Sequence, residues 1–226
     1  MYKKIAIFTL LLSVTITGFA QYDSLFNTRY YQQKLSQFLL IPDSEEDEII
    51  FVGDSITDIA DWADIFKNSN VKNRGISGDN TYGILNRLHE VIRRRASKIF
   101  IMTGINDIAI NIPESTIISN YAEILQRLNK QTPLTRVYVQ SILPTNNSFT
   151  EFRQHQGKDS IIQSVNRQLK HLALSTGNIY IDLYSIMTDK KGALNSLYTN
   201  DGLHLTGQGY MVWKNELISK KYCCQL

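Results

Sequence analysis

Ser55 follows the apolar run Ile49-Ile50-Phe51-Val52 through Gly53 and Asp54, and Asp201-Gly202-Leu203-His204 lies near the other end of the chain. A serine hydroxyl is a weak nucleophile at neutral pH and needs a neighbouring base to take its proton. His204 is a base of the right type, and Asp201, three residues earlier, can hold its imidazole in one tautomer. A buried strand that stops at Gly53 would present Ser55 at its carboxyl end, where open parallel α/β sheets carry their sites. Ser55, Asp201 and His204 are therefore the candidate catalytic residues. The chemistry they point to is acyl transfer through a covalent intermediate.

Acyl transfer also needs hydrogen-bond donors aimed at the developing oxyanion. Two further blocks can supply them: Gly75-Ile76-Ser77-Gly78-Asp79 and Gly104-Ile105-Asn106-Asp107. Gly78 lets a backbone N–H approach a substrate oxygen with no side chain in the way. Asn106 offers an amide N–H₂, and the backbone N–H of Ser55 is the third donor. His89, His155 and His171 are the competing bases. His89 and His171 fall within helical patterns and read as surface residues, whereas His155 falls in a loop that could touch substrate. Asp54, Asp79 and Asp107 read as structural acids that bond loop backbone.

These four blocks, taken in order, resemble the SGNH hydrolases, also called the GDSL esterase family. The Ser, Gly, Asn and His of that family's name match Ser55, Gly78, Asn106 and His204, and Asp201 completes Asp-x-x-His. Gly53-Asp54-Ser55-Ile56 carries Ile where the family name has Leu. The resemblance runs from about Ile49 to about Trp213. It implies a three-layer α/β/α fold of flavodoxin type, ester or thioester hydrolysis, and neither metal nor cofactor. The Gly75–Asp79 segment looks most like the branch holding acetylhydrolases of platelet-activating-factor type and bacterial sugar or sialate O-acetylesterases.

The elements that must position these residues alternate along the chain. Strands are expected at Ile49–Val52, Val71–Arg74, Lys98–Thr103, Arg136–Ser141 and Asn178–Asp182. Helices are expected near Tyr22–Leu40, Trp62–Phe66, Tyr82–Arg94, Glu114–Lys130, Asp159–Ser175 and Thr206–Lys220. In one of them, Ile84, Leu85, Leu88, Val91 and Ile92 recur at helical spacing. Short apolar runs alternating with helices predict a mostly parallel five-stranded sheet covered on both faces. The connection from Leu143 to Lys158 leaves a strand end, so it should overhang the site. Its Thr145, Asn146, Asn147 and Ser148 are expected to line the entrance. The acidic stretch from Pro42 to Glu48 reads as a solvated turn, and Arg93-Arg94-Arg95 as a solvated helix end.

The chain has 226 residues, with a basic start, Met1-Tyr2-Lys3-Lys4, and an apolar run over Ile5–Ile16 that leads into Gly18-Phe19-Ala20. This is the pattern of a secretory signal peptide over residues 1–20, cut near Ala20. Residues 21–226 then fit one hydrolase domain, exported to the periplasm or beyond. The apolar run falls short of the roughly 20 residues of a membrane span, so no stable insertion is expected after cleavage. Charge is close to balanced once Lys3 and Lys4 leave, which gives no nucleic-acid signature. Cys223 and Cys224 are neighbours near the end and read as free or intermolecular thiols.

The expected substrate is a short acyl ester on a sugar or sialic acid. A lysophospholipase or thioesterase is the second reading, with Leu143, Phe149 and Phe152 beginning an apolar groove. A non-catalytic carbohydrate-binding protein on an esterase fold is the third. Nothing in the sequence speaks to oligomeric state.

Overall fold

A computed structural model describes residues 25–43 and 47–224. The expected signal peptide and the start of the expected N-terminal helix lie outside these residues. Five strands form one sheet: β1 (Ile49–Gly53), β2 (Val71–Gly75), β3 (Lys98–Met102), β4 (Arg136–Gln140) and β5 (Ile179–Ile181). Their order is β2-β1-β3-β4-β5 and every pairing is parallel. From β1 the chain moves first to one side and then to the other. The crevice at this reversal is where ligands bind in open α/β sheets.

Register explains the core. Phe51 lies beside Phe100, and Phe100 beside Tyr138, so one face carries three rings in a row, stacked at 4.8 Å and 4.5 Å between centroids. Trp62 of α3 (Trp62–Phe66) stacks on Phe51 at 4.1 Å, and Trp213 of α9 (Gly207–Ser219) meets Trp62 edge-on at 4.9 Å. Alternate residues of each strand point to the other face, where Ile50, Val52, Ile99 and Ile101 are buried. Helices α4 (Thr81–Arg93), α6 (Glu114–Gln131) and α7 (Asp159–Ser175) pack in sequence as the second group. Their stripes of Ile84, Leu88 and Val91, of Ile117, Tyr121, Ile124 and Leu128, and of Ile162, Val165 and Leu169 are buried. Each such aliphatic side chain contributes about 1.5–3 kcal/mol on burial. The result is the three-layer α/β/α sandwich expected.

Three short helices were not visible in the sequence: α2 (Ser55–Asp58), α5 (Ile105–Ala109) and α8 (Tyr184–Met187). Each spans about one turn, too short to show a period. The N-terminal helix α1 (Arg29–Leu40) is capped by the Thr28 hydroxyl, so Leu25 and Phe26 precede it.

The expected solvation of two charged stretches holds at Pro42, Asp43, Asp47 and Arg95, fails at Glu48 and Arg94, and at residues 44–46 lies outside the described residues. Arg94 is buried and donates to Glu48 at 3.0 Å and Glu90 at 2.8 Å. Arg93 donates to the carbonyls of Phe38 and Ile41 and pairs with Asp43. These arginines tie the C-terminus of α1, where the orphan carbonyls lie, to the start of β1. Glu48 is only 3% exposed. Among the described residues no helix is long and apolar enough to cross a membrane.

Candidate active site

The carboxyl ends of β1, β2 and β3 each break into a loop that carries one candidate group. After β1, the Asp54 carboxylate accepts the N–H of Ile56 at 3.0 Å and so caps α2, which sets Ser55 as its first residue. After β2, the N–H of Asp79 reaches the carbonyl of Ile76 at 3.0 Å and closes a turn with Gly78 third. That position needs positive φ, which suits glycine; Gly78 has φ +80°, and the space a Cβ would fill there is open. After β3, Asn106 lies in the first turn of α5.

His204 arrives from the far end of the sequence. Its Nε2 lies 2.9 Å from Ser55 Oγ, and its Nδ1 lies 2.7 Å from Asp201 Oδ2. The other oxygen of Asp201 accepts the N–H groups of Leu203 and His204, both at 2.8 Å. Gly202 turns the chain between them at φ +84°, against the carbonyl of Asn146. Burial pushes the Asp201 carboxyl up. The hydrogen bond from His204 and those from the two backbone N–H groups outweigh it and hold the carboxyl below its ordinary value. It is thus an anion at neutral pH. It can fix the Nδ1–H tautomer, which leaves Nε2 free to accept the serine proton.

The flanking donors are held in place. The Asn106 amide donates from Nδ2 to the carbonyl of Asp79 at 2.8 Å. Neither the Ser55 N–H nor the Gly78 N–H is engaged by another group among the described residues. Beneath them lies a buried polar layer. Arg87, fully buried, donates to Asp79 at 2.8 Å and to the carbonyl of Gly53 at 3.2 Å, linking the Gly78 turn to β1. Asp107 accepts the N–H and hydroxyl of Thr81, which joins α5 to the start of α4. Burial, with Asp79 and Asp107 nearby, raises Asp54 to about 7 against the Ile56 bond. Burial raises Asp79 to about 6 even with Arg87 beside it. The reading of these three acids as structural holds.

The connection after β4 overhangs the site, with some of the expected residues and not others. Thr145 and Asn146 are buried, and Asn146 is spent internally on Leu194, Ser148 and the carbonyl of Gly202. The side chains that reach the site are Phe152 and His155. Phe152 sits in left-handed backbone, φ +50°, with its ring edge-on to His204 at 4.8 Å. His155 is 4% exposed rather than a loop-surface residue, and its Nε2 lies 3.0 Å from Asn106 Oδ1. His89 and His171 are exposed, as expected. Phe152 and His155 were both singled out in the sequence, His155 as a loop histidine that could touch substrate and Phe152 as part of an apolar groove. Their contacts with Asn106 and His204 were not legible, because only the fold over the strand ends creates them.

The GDSL-like Lipase/Acylhydrolase family pattern matches residues 51–212. The platelet-activating factor acetylhydrolase IB subunit alpha2 of Rattus norvegicus is 28% identical over 182 residues, covering 77% of this chain and 76% of that one. A GDSL-like lipase structure from Bacteroides thetaiotaomicron superposes with a TM-score of 0.72 at 27% identity, over 85% of this chain and 96% of that one. An acetylxylan esterase from Geobacillus stearothermophilus shares the fold, with a TM-score of 0.61 at 17% identity over 79% and 95% of the two chains. The chain belongs to the GDSL-like lipase/acylhydrolase family of ester hydrolases.

Proposed function

We propose that this chain is a serine esterase that removes short acyl groups, acetyl foremost, from hydroxyls of a glycan or sialic acid. The observation that carries the reading is the hydrogen-bonded line from Ser55 Oγ through His204 to Asp201. His204 Nε2 takes the hydroxyl proton as Ser55 Oγ bonds to the ester carbonyl carbon. The Ser55 and Gly78 N–H groups and the Asn106 amide receive the oxyanion. One such donor is worth about 2.7–4 kcal/mol in the transition state. The imidazolium then protonates the departing alcohol, and water, deprotonated by His204, releases the acid from the acyl-enzyme.

Two features support a short acyl group. Leu143, which could have begun a groove for a long chain, is 2% exposed in the core. Phe149 packs against Gly202. The rat relative's name, an acetylhydrolase, points the same way. The exposed face of Phe152 beside His204 supports a ring-shaped alcohol, since an aromatic wall suits the C–H face of a sugar. The basic, apolar start of the chain supports export, which amino-terminal sequencing of the mature protein at Gln21 tests.

A nitrophenyl ester series from acetyl to octanoyl, with Ser55→Ala as blank, is the deciding experiment. The expected result is kcat/KM highest for acetyl and a Ser55→Ala rate lower by about 10⁶-fold. A maximum at octanoyl selects the lysophospholipase reading. No turnover by the wild-type chain selects the non-catalytic one.

A further inference from the structure

We propose that His155 is a positioning residue of the oxyanion hole, acting through Asn106. This rests on the esterase reading and adds a part to it. A side-chain amide is a poor oxyanion donor if its plane can rotate, because the donor must already point at the site where charge develops. Asn106 is pinned at both ends. Its nitrogen is identified by the Asp79 carbonyl at 2.8 Å, which can only accept. Its oxygen therefore faces His155 Nε2 at 3.0 Å, and since that oxygen can only accept, Nε2 carries a proton. One amide proton goes to Asp79, and the amide plane is locked with the second left for an oxyanion.

The surroundings of His155 give it this single task. Its side chain is almost wholly buried, and Nδ1 has no hydrogen-bond partner among the described residues. Burial lowers its proton affinity and outweighs the Phe152 backbone, which raises it; the Coulombic influence of His204 and Lys158 acts with burial. A neutral imidazole with its proton on Nε2 matches that environment. Phe152, which stands edge-on to both His204 and His155, fills the space between the two rings. The turn Arg153–His155 is held from behind by Gln156, which donates to the carbonyls of Phe149 and Glu151. The overhanging segment is thereby coupled to the oxyanion donor rather than only to the substrate entrance.

The test is a double-mutant cycle on an activated acetyl ester. His155→Phe keeps a ring but removes the donor, and should lower kcat by about tenfold with KM within about twofold, the signature of an interaction made in the transition state. Asn106→Ala should lower kcat by about 10²–10³-fold. In the Asn106→Ala background, His155→Phe should cost nothing further. His155→Gln, whose amide can donate to the same oxygen, should recover most of the lost rate. The rate of Ser55 labelling by a fluorophosphonate should fall in His155→Phe in the same proportion as kcat. An unchanged kcat in His155→Phe, an equal loss in the Asn106→Ala background, or a raised KM alone would overturn the role of His155. In those cases an active wild type and an inert Ser55→Ala leave the esterase reading standing. A wild type inert toward both ester and fluorophosphonate would overturn the two together.

Discussion

The half of the site proposed as nucleophile and base and the half proposed as oxyanion hole are built in opposite ways. Asp201 and His204 share one tight turn, and their side chains are 20% and 15% exposed. Their contacts are short, few and largely local. The oxyanion half rests on fully buried groups: Asp79, Arg87 and Asp107 beneath the Gly78 turn and Asn106. Those groups also join α4 and α5 to the end of β1. The difference teaches that one half can be disabled without disturbing the fold. The other cannot, since the groups that aim its donors also satisfy buried charge.

Asp201→Asn is the sharpest probe of the exposed half. The asparagine oxygen can still accept from Leu203 and His204, so the turn persists. Its nitrogen then faces His204 Nδ1 and forces the proton onto Nε2, toward Ser55. A loss of kcat of about 10⁴-fold is expected, with little change in the thermal midpoint. A large fall in the midpoint would show that this half is also a structural one.

Arg87→Met should do the reverse. It leaves Asp79 buried without its partner, at a cost of about 3–5 kcal/mol in unfolding free energy above pH 7. The cost should shrink near pH 5, where Asp79 can take a proton. Urea denaturation at the two pH values reads both effects. An equal cost at pH 5 and pH 8 would mean that lost packing, not unpaired charge, is responsible.

The most gradual effect is on the pH dependence of stability. An unfolded aspartate loses its proton near 3.8, whereas folded Asp54 keeps it until about 7 and Asp79 until about 6. Between these values the folded state binds more protons, so stability falls as pH rises from about 4 to 7. Asp201, with its lowered value, acts only below that window, where acid removes its contribution. Asp54→Asn keeps an acceptor for Ile56 and should flatten the decline. A thermal midpoint equally pH-dependent in the variant would exclude Asp54 as its source.

Much of this was legible in the amino-acid sequence. The strand bounds were legible to within a residue or two, chiefly because buried parallel strands are apolar stretches; β2, the edge strand Val71-Lys72-Asn73-Arg74-Gly75, is the polar exception. Helices α4, α6 and α7 were visible for the same reason, in stripes long enough to show their period. The one-turn helices α2 and α5 were not, although they carry Ser55 and Asn106. Arg94 and Glu48 were misread as solvated because residue type alone does not reveal a buried partner 46 positions away. Asn146 was misread as an entrance residue because a polar loop can spend its side chains on itself, and Thr145 because residue type alone does not reveal burial.

The sequence by itself determined the parts: a strand that stops at Gly53 before Ser55, a glycine where a turn needs positive φ, an amide after β3, and Asp201 three residues before His204. Each is a matter of residue type and local spacing, which chain geometry enforces without help. Only the tertiary structure decided what meets what. Ser55 and His204, 149 residues apart, come to 2.9 Å. His155 leaves its loop for the Asn106 amide, and Arg87 is drawn under the Gly78 turn. These contacts depend on the order in which strands pair and on the requirement that buried polar groups find partners.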